Sequence, residues 1–117
     1  MWTIKTTDRF DNWFTRLDDD ERACVLAALI VLREKGPMLS RPYADTVRGS
    51  HYRNMKELRL QSRGDPLRAF FAFDPHRSGI VLCAGSKVDN EKRFYAEMLP
   101  VADHEFAHWL KTLNKKE

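Results

Sequence analysis

With 117 residues, 43% of them hydrophobic and 32% charged, the chain has the size of one domain. Its apolar side chains, seven Phe and three Trp included, suffice for a single core, which excludes a disordered chain. No apolar run reaches the roughly 20 residues of a membrane span. The formal charge of +3 is concentrated: residues 48–68 carry six basic side chains (Arg48, Arg53, Lys56, Arg59, Arg63, Arg68) against two acidic ones (Glu57, Asp65).

A basic island inside an otherwise near-neutral chain points to a local anionic ligand. Phosphate is the usual one, because arginine offers a planar fork of donors and a permanent charge. The alternative is a basic hairpin that only keeps the protein in solution. The N-terminal stretch MWTIKTTDRF is charged too early for a secretory signal, so the expected compartment is the reducing cytoplasm. Cys24 and Cys83 agree with it. Both lie in apolar runs, ACVLAALIVL and IVLCA, where cysteine acts as a small hydrophobe, and neither has a metal-ligand partner at useful spacing.

In chain order, Trp2, Ile4 and Thr6 alternate with Thr3 and Lys5, which predicts a first strand. A helix starts near Thr7 or Asp8, with Phe10, Trp13, Phe14 and Leu17 on one stripe. Asp18 or Asp19 caps a second helix over Glu21–Lys35, and the acidic run Asp18–Glu21 sits where the helix dipole favours negative charge. That helix is apolar almost all round, predicting burial between the first helix and a sheet, and Gly36-Pro37 ends it. Residues 38–54 read as loop. Three strands follow, over Met55–Gln61, Leu67–Asp74 and Gly79–Gly85, joined by short turns that force antiparallel neighbours. Asp89 is placed to cap a last helix, which Pro100 should kink or divide. The layout is α+β in the order β-α-α-β-β-β-α. It forms one domain over residues 1–117, a small antiparallel sheet with the helical hairpin on one face and a C-terminal helix.

Strand parity sets Glu57 and Arg59 opposite Leu58 and Leu60. If the hairpin covers the leucines, both charges line an open, concave face. Arg68 lies on the next strand, Lys87 past the last strand and Tyr95 on the final helix. Two arginines, a lysine, a glutamate and a tyrosine make a set suited to phosphate chemistry, with cations for the phosphorane, a base and a proton donor. Arg59 and Glu57 could equally form an ion pair and Tyr95 a half-buried core residue. Arg48, His51, Arg53, Lys56 and Arg63 are the candidates for RNA contact, with Lys56 on the wrong strand parity for the site but able to reach its rim. His104 and His108 stand in H-E-F-A-H, which matches the zinc motif H-E-x-x-H. No third ligand lies at the expected place, and Phe106, Trp109 and Leu110 account for the segment as a packing helix. Walker, G-x-G-x-x-G and G-x-S-x-G motifs are absent, and neither a metal nor a cofactor is expected.

The segments RGSHYRNMKELRLQ, PLRAFFAFDP and GIVLCAGSKVDNEKRFYAEMLPVADHEF, in that order, resemble the HigB-like (phage Gp49-like) branch of the RelE/ParE toxin superfamily. The resemblance covers about residues 8–110. It implies a toxin of a type II toxin–antitoxin pair, a metal-free endoribonuclease that cuts mRNA on the ribosome. Its partner would be a cognate antitoxin, a helix-turn-helix DNA-binding protein. By resemblance Arg59 and Arg68 hold and polarise the scissile phosphate, with Lys87 nearby, and Tyr95 matches the aromatic residue near the end of the site. Glu57 stands where several relatives have a second basic residue, so it is either the general base or a partner of Arg59. Two other functions fit the same resemblance: a ParE-like inhibitor of DNA gyrase, and a non-enzymatic phage accessory protein that binds nucleic acid.

Overall fold

In the computed structural model, which describes residues 1–87 and 90–115, a five-stranded sheet separates two helical layers. The elements are β1 (Thr3–Thr6), α1 (Asp8–Thr15), α2 (Asp19–Lys35), a 3-10 turn (Gly36–Met38), β2 (Ala44–Thr46), β3 (Lys56–Ser62), β4 (Asp65–Phe73), β5 (Ser78–Ser86) and α3 (Glu91–Lys115). The α+β class and the helical hairpin on one face are as expected. The sheet itself is mixed: the strand order is β1-β5-β4-β3-β2, and β1 runs parallel to β5 while the other neighbours are antiparallel. β2 lies inside the stretch expected to be loop; three residues carry too little alternation to show in sequence, and their strand character comes from pairing with β3.

Local signals place the helices. The Thr7 hydroxyl accepts from the Phe10 N–H (3.1 Å) and starts α1. Asp18 and Glu21 form a reciprocal capping box at the start of α2: the Asp18 carboxylate accepts from the Glu21 N–H (2.8 Å) and the Glu21 carboxylate from the Asp18 N–H (3.1 Å). Gly36, at φ +59, closes α2 against the Trp2 indole, where a Cβ would come within 2.5 Å of ring atoms. Asp89 lies outside the described residues. Asn90 caps α3, its side chain accepting from the Arg93 N–H (2.9 Å). The helix then runs through Pro100 without a break. Ala96 and Pro100 both lie on its exposed side, so the Ala96 carbonyl deprived of its N–H partner is on the water side.

Each face of the sheet has its own core. Leu58, Leu60, Leu67, Ala69, Phe71 and Val81 pack with Phe10, Val25 and Leu32 of the hairpin. Met55, Phe70, Ala72, Ile80, Leu82 and Cys83 pack with Phe94, Leu99, Ala102 and Phe106 of α3. Cys24 and Cys83 thus pack on opposite faces of the sheet, both as free thiols, and burial pushes the Cys83 pKa up to about 12. A bulge lets β5 serve both cores. Phe70 pairs with Cys83 and Phe71 with Val81, so Leu82 is the extra residue and the alternation reverses beyond it. The Leu82 carbonyl accepts the Thr7 hydroxyl (2.6 Å), tying the cap of α1 to the bulge. A further expectation fails: α2 is not buried all round. Leu26 and Ile30 are half exposed, because the two-turn α1 is too short to cover the outer side of the longer helix.

The capping box makes a local test. Asp18→Ala should cost about 1 kcal/mol, lowering the midpoint of a thermal melt by about 4 °C, with the native circular dichroism spectrum retained.

Candidate functional site

Arg59 and Arg68 are directly opposed across β3 and β4, on the face that α3 packs against. Two like charges in that position repel, and Glu57, two residues before Arg59 on the same face, lies between them. Its Oε2 accepts from Arg59 Nε at 3.0 Å and stands 3.6 Å from Arg68 Nε. Its Oε1 accepts the Tyr95 hydroxyl at 2.5 Å. The carboxylate is only 5% exposed, against 13% for the Arg68 side chain and 34% for Arg59. Arg68 Nη1 also donates to the Leu67 carbonyl (2.9 Å), while its buried Nε has no hydrogen-bond partner among the described residues.

Tyr95 reaches this carboxylate because α3 comes close to the sheet at Gly85. That glycine is opposite Arg68 in the β4–β5 register, and a Cβ there would sit 3.1 Å from the Phe94 ring. Burial, and then the hydrogen bond to Glu57, push the Tyr95 pKa far above the ordinary phenol value, so the hydroxyl stays protonated and donates. Lys87 completes the group. Its ammonium lies 5.7 Å from the Tyr95 ring centroid and 3.1 Å from Glu91, and its backbone N–H donates to the Pro66 carbonyl (3.0 Å).

The structure therefore brings Glu57, Arg59, Arg68, Lys87 and Tyr95 together. Their surroundings differ from the expected open, concave face, because α3 roofs half of it and leaves the charges along one flank of the helix. The sequence showed nothing of Asp45 and Arg41. Asp45 on β2 pairs with Glu57 in register, and its Oδ2 takes Arg59 Nη2 at 3.2 Å and Arg41 Nη2 at 2.8 Å. The Arg41 hydrogen bond leads in holding the Asp45 carboxyl below the usual carboxylate range. Arg59 is thus gripped from two sides, which raises its pKa further.

The basic island does not form one surface. Arg63 turns to the start of α2 and pairs there with Asp18 and Asp20. Lys56 lies on the hairpin side of the sheet, its ammonium donating to the Pro37 carbonyl (3.0 Å). Arg48, His51 and Arg53 stand exposed on a loop pinned to α3, and Arg48 and Arg53 have no ion-pair partner among the described residues. The pin is Asp103, which accepts from the Ser50 hydroxyl (2.5 Å) and the His51 N–H (2.9 Å). Tyr52 then packs edge-on against Phe106 with ring centroids 4.9 Å apart. His104 and His108 are exposed, and Glu105 between them lies 3.7 Å from Arg9. Among the described residues no group of three or more His, Cys, Asp or Glu is placed to hold a metal ion. A groove of about 660 Å³ lies away from the arginines, between α1 and the C-terminal half of α3.

This arrangement of sheet and helices is the fold of RelE toxins. It superposes on the isolated Escherichia coli RelE toxin with a TM-score of 0.59 at 13% identity, covering 84% of this chain and 97% of that one. RelE in the intact E. coli RelBE toxin–antitoxin complex gives 0.56, also at 13% identity, over 73% of this chain and 95% of that one. Residues 12–107 match the family described as phage derived protein Gp49-like (DUF891), and the chain belongs to it. Two curated Mycobacterium tuberculosis proteins are similar in sequence. "Putative toxin HigB3" is 43% identical over 100 residues, 86% of each chain. "Putative toxin HigB2" is 44% identical over 110 residues, 93% of this chain, which spans only 54% of that protein's length.

Tyr95→Phe removes the hydroxyl that donates to Glu57 Oε1 and should cost roughly 1.5–3 kcal/mol, the range for hydrogen bonds to charged groups. Because the folded state holds the Tyr95 proton more tightly than the unfolded chain, that part of the stability is complete below the ordinary phenol value of 10.0 and is lost as pH rises above it. Urea melts between neutral and strongly alkaline pH should show wild-type stability falling more steeply past that value than the stability of the Phe variant. Parallel curves would place the Tyr95 hydroxyl outside the network.

Proposed function

We propose that this chain is the toxin of a type II toxin–antitoxin pair and acts as an endoribonuclease on translated mRNA. Family membership and the two similar mycobacterial proteins, both named as toxins, support the first part. The observation that carries the second is the pair of opposed arginines held at one buried carboxylate, since two fixed guanidinium groups at a sheet surface suit the charge that develops on a phosphate under attack. The RelE fold, seen with its antitoxin in the RelBE complex, supports an antitoxin as the partner of this chain also. Among the described residues, no helix is long and apolar enough to cross a membrane.

In the reaction a ribose 2′-hydroxyl loses its proton to solvent water as its oxygen bonds to the adjacent phosphorus, the bond from phosphorus to the 5′-oxygen breaks as that oxygen takes a proton from water, and a 2′,3′-cyclic phosphate remains. Arg59 and Arg68 stabilise the phosphorane, and Lys87 adds charge at the flank. Glu57 is poorly placed to take the 2′-proton, because Tyr95 occupies one of its oxygens and Arg59 the other. Its role is to hold both guanidinium groups in place, and Tyr95 in turn holds Glu57. A site without a free strong base gains from a substrate presented in in-line geometry, which is what mRNA in a ribosomal A site offers. Arg48, His51 and Arg53, exposed and fixed by Asp103, are the RNA contacts beyond the phosphate.

Arg59→Ala and Arg68→Ala should each lower cleavage by about two to three orders of magnitude, equivalent to roughly 2–4 kcal/mol of transition-state stabilisation. Primer extension on translated messages after brief induction reads this directly, with thermal melts to show that the variants fold. Cleavage retained in both folded variants would remove the arginine pair from the reaction. Intact messages with altered plasmid supercoiling would point to gyrase instead.

A further inference from the structure

The two arginines of the site are not equivalent, and the difference lies in Asp45. On the side of the sheet that α3 packs against, the charged side chains follow the strand order: Asp45 on β2, Glu57 and Arg59 on β3, Arg68 on β4. Arg68 is the more buried of the pair and is steadied by the Leu67 carbonyl beside it. Arg59 is more exposed, so it needs partners of its own to hold one position.

Glu57 by itself does not fix the Arg59 guanidinium. A carboxylate sets a guanidinium plane through two parallel hydrogen bonds, one to each oxygen. Glu57 gives Arg59 only Oε2, at 3.0 Å from Nε, because its Oε1 accepts the Tyr95 hydroxyl at 2.5 Å. One bond at Nε leaves the outer part of the group able to swing. Asp45 supplies the second oxygen, its Oδ2 accepting from Arg59 Nη2 at 3.2 Å. Nε–H and the adjoining Nη2–H form one side of the planar donor fork. Two carboxylates on two strands thus fill the side that one carboxylate fills in an ordinary pair, and the Nη1 end is left for an anion.

Asp45 is held in its turn. Its Oδ1 accepts from the Thr46 N–H (2.9 Å), and Arg41 Nε donates to Oδ2 (2.9 Å). Backbone bonds that do not involve this side chain keep β2 on β3: the Arg59 N–H donates to the Tyr43 carbonyl (2.8 Å) and the Val47 N–H to the Met55 carbonyl (3.0 Å). The carboxylate can therefore be removed without removing the strand.

We propose that Asp45 is a positioning residue for the reaction: it fixes the plane of Arg59 so that the Nη1 end of the guanidinium meets the phosphate under attack. It touches no reacting atom and acts through Arg59. This rests on the ribonuclease reading above, but the hold on Arg59 can be measured without any cleavage.

Two measurements on the full chain test this. In isotopically labelled protein, relaxation of the Nε–H resonances reports how rigid each arginine side chain is. Asp45→Ala should loosen Arg59 and leave Arg68 as it is in the wild type, with a thermal melt close to that of the wild type. In single-turnover cleavage of message on ribosomes, the same variant should lose about ten- to a hundredfold in rate at saturating toxin, the scale of a misplacement on the order of 1 Å. The toxin concentration for half-maximal rate should stay within about twofold, because Asp45 binds no substrate. Asp45→Asn keeps one acceptor oxygen and should fall between the two in both readouts, and it carries the test if the alanine variant fails to fold. An Arg59 side chain as rigid in the folded variant as in the wild type would overturn the proposal. So would an unchanged rate, or a loss confined to the half-maximal concentration. A wild-type chain that leaves translated mRNA whole would refute the ribonuclease, while a loosened Arg59 would still show Asp45 to be its clamp.

Discussion

A single buried carboxylate organises this molecule. Glu57 is nearly inaccessible to water, which would be costly for an unpaired charge. It persists because three side chains from three elements converge on it: Arg59 from its own strand, Arg68 from the neighbouring strand and Tyr95 from α3. The dependence is mutual. Without Glu57 the two guanidinium groups would face each other across the β3–β4 pair, and the start of α3 would lose its polar tie to the sheet. The same carboxylate therefore acts as a counter-ion, as a fastening for a helix and as the part that orients the candidate site.

The sheet can carry this arrangement because it has two unlike faces. The hairpin covers one face with leucine, valine and phenylalanine, and α3 covers the other only in part, leaving the arginines along its flank. The bulge at Leu82 makes this possible. With strict alternation beyond Val81, Cys83 and Gly85 would both turn toward the hairpin, and the gap that admits Phe94 and Tyr95 would close. Thr7 stabilises the bulge by donating to the stray carbonyl, so the first cap of the chain and the last strand are parts of one device.

Charge is distributed by the same folding. Of the six basic residues in the central island, Arg63 is drawn into the acidic start of α2 and Lys56 to the Pro37 carbonyl, while Arg59 and Arg68 share Glu57. Only Arg48 and Arg53 remain exposed without an ionic partner among the described residues, on a loop fastened by Asp103. A local run of positive charge thus becomes a small fixed phosphate-handling group and a separate exposed loop. Their common reference is α3, which carries Tyr95 near one end and Asp103 two turns further on.

What the sequence alone determined are the features set by neighbours along the chain. The stripe of α1, the acidic cap of α2, the short turn between β3 and β4 and the alternation that separates Glu57 and Arg59 from Leu58 and Leu60 all follow from backbone periodicity and local hydrogen bonds. That alternation made Glu57, Arg59 and Arg68 legible as a group before any contact was seen. Tertiary structure decided whatever depends on partners far along the chain. β2 exists only through pairing with β3, and the parallel pairing of β1 with β5 joins residues some 75 positions apart. Leu26 and Ile30 look like core in sequence but meet no covering element, and Asp45 becomes part of the site only because β2 lies beside β3. Periodicity says which side of an element a residue occupies; only the packed chain says what lies across from it.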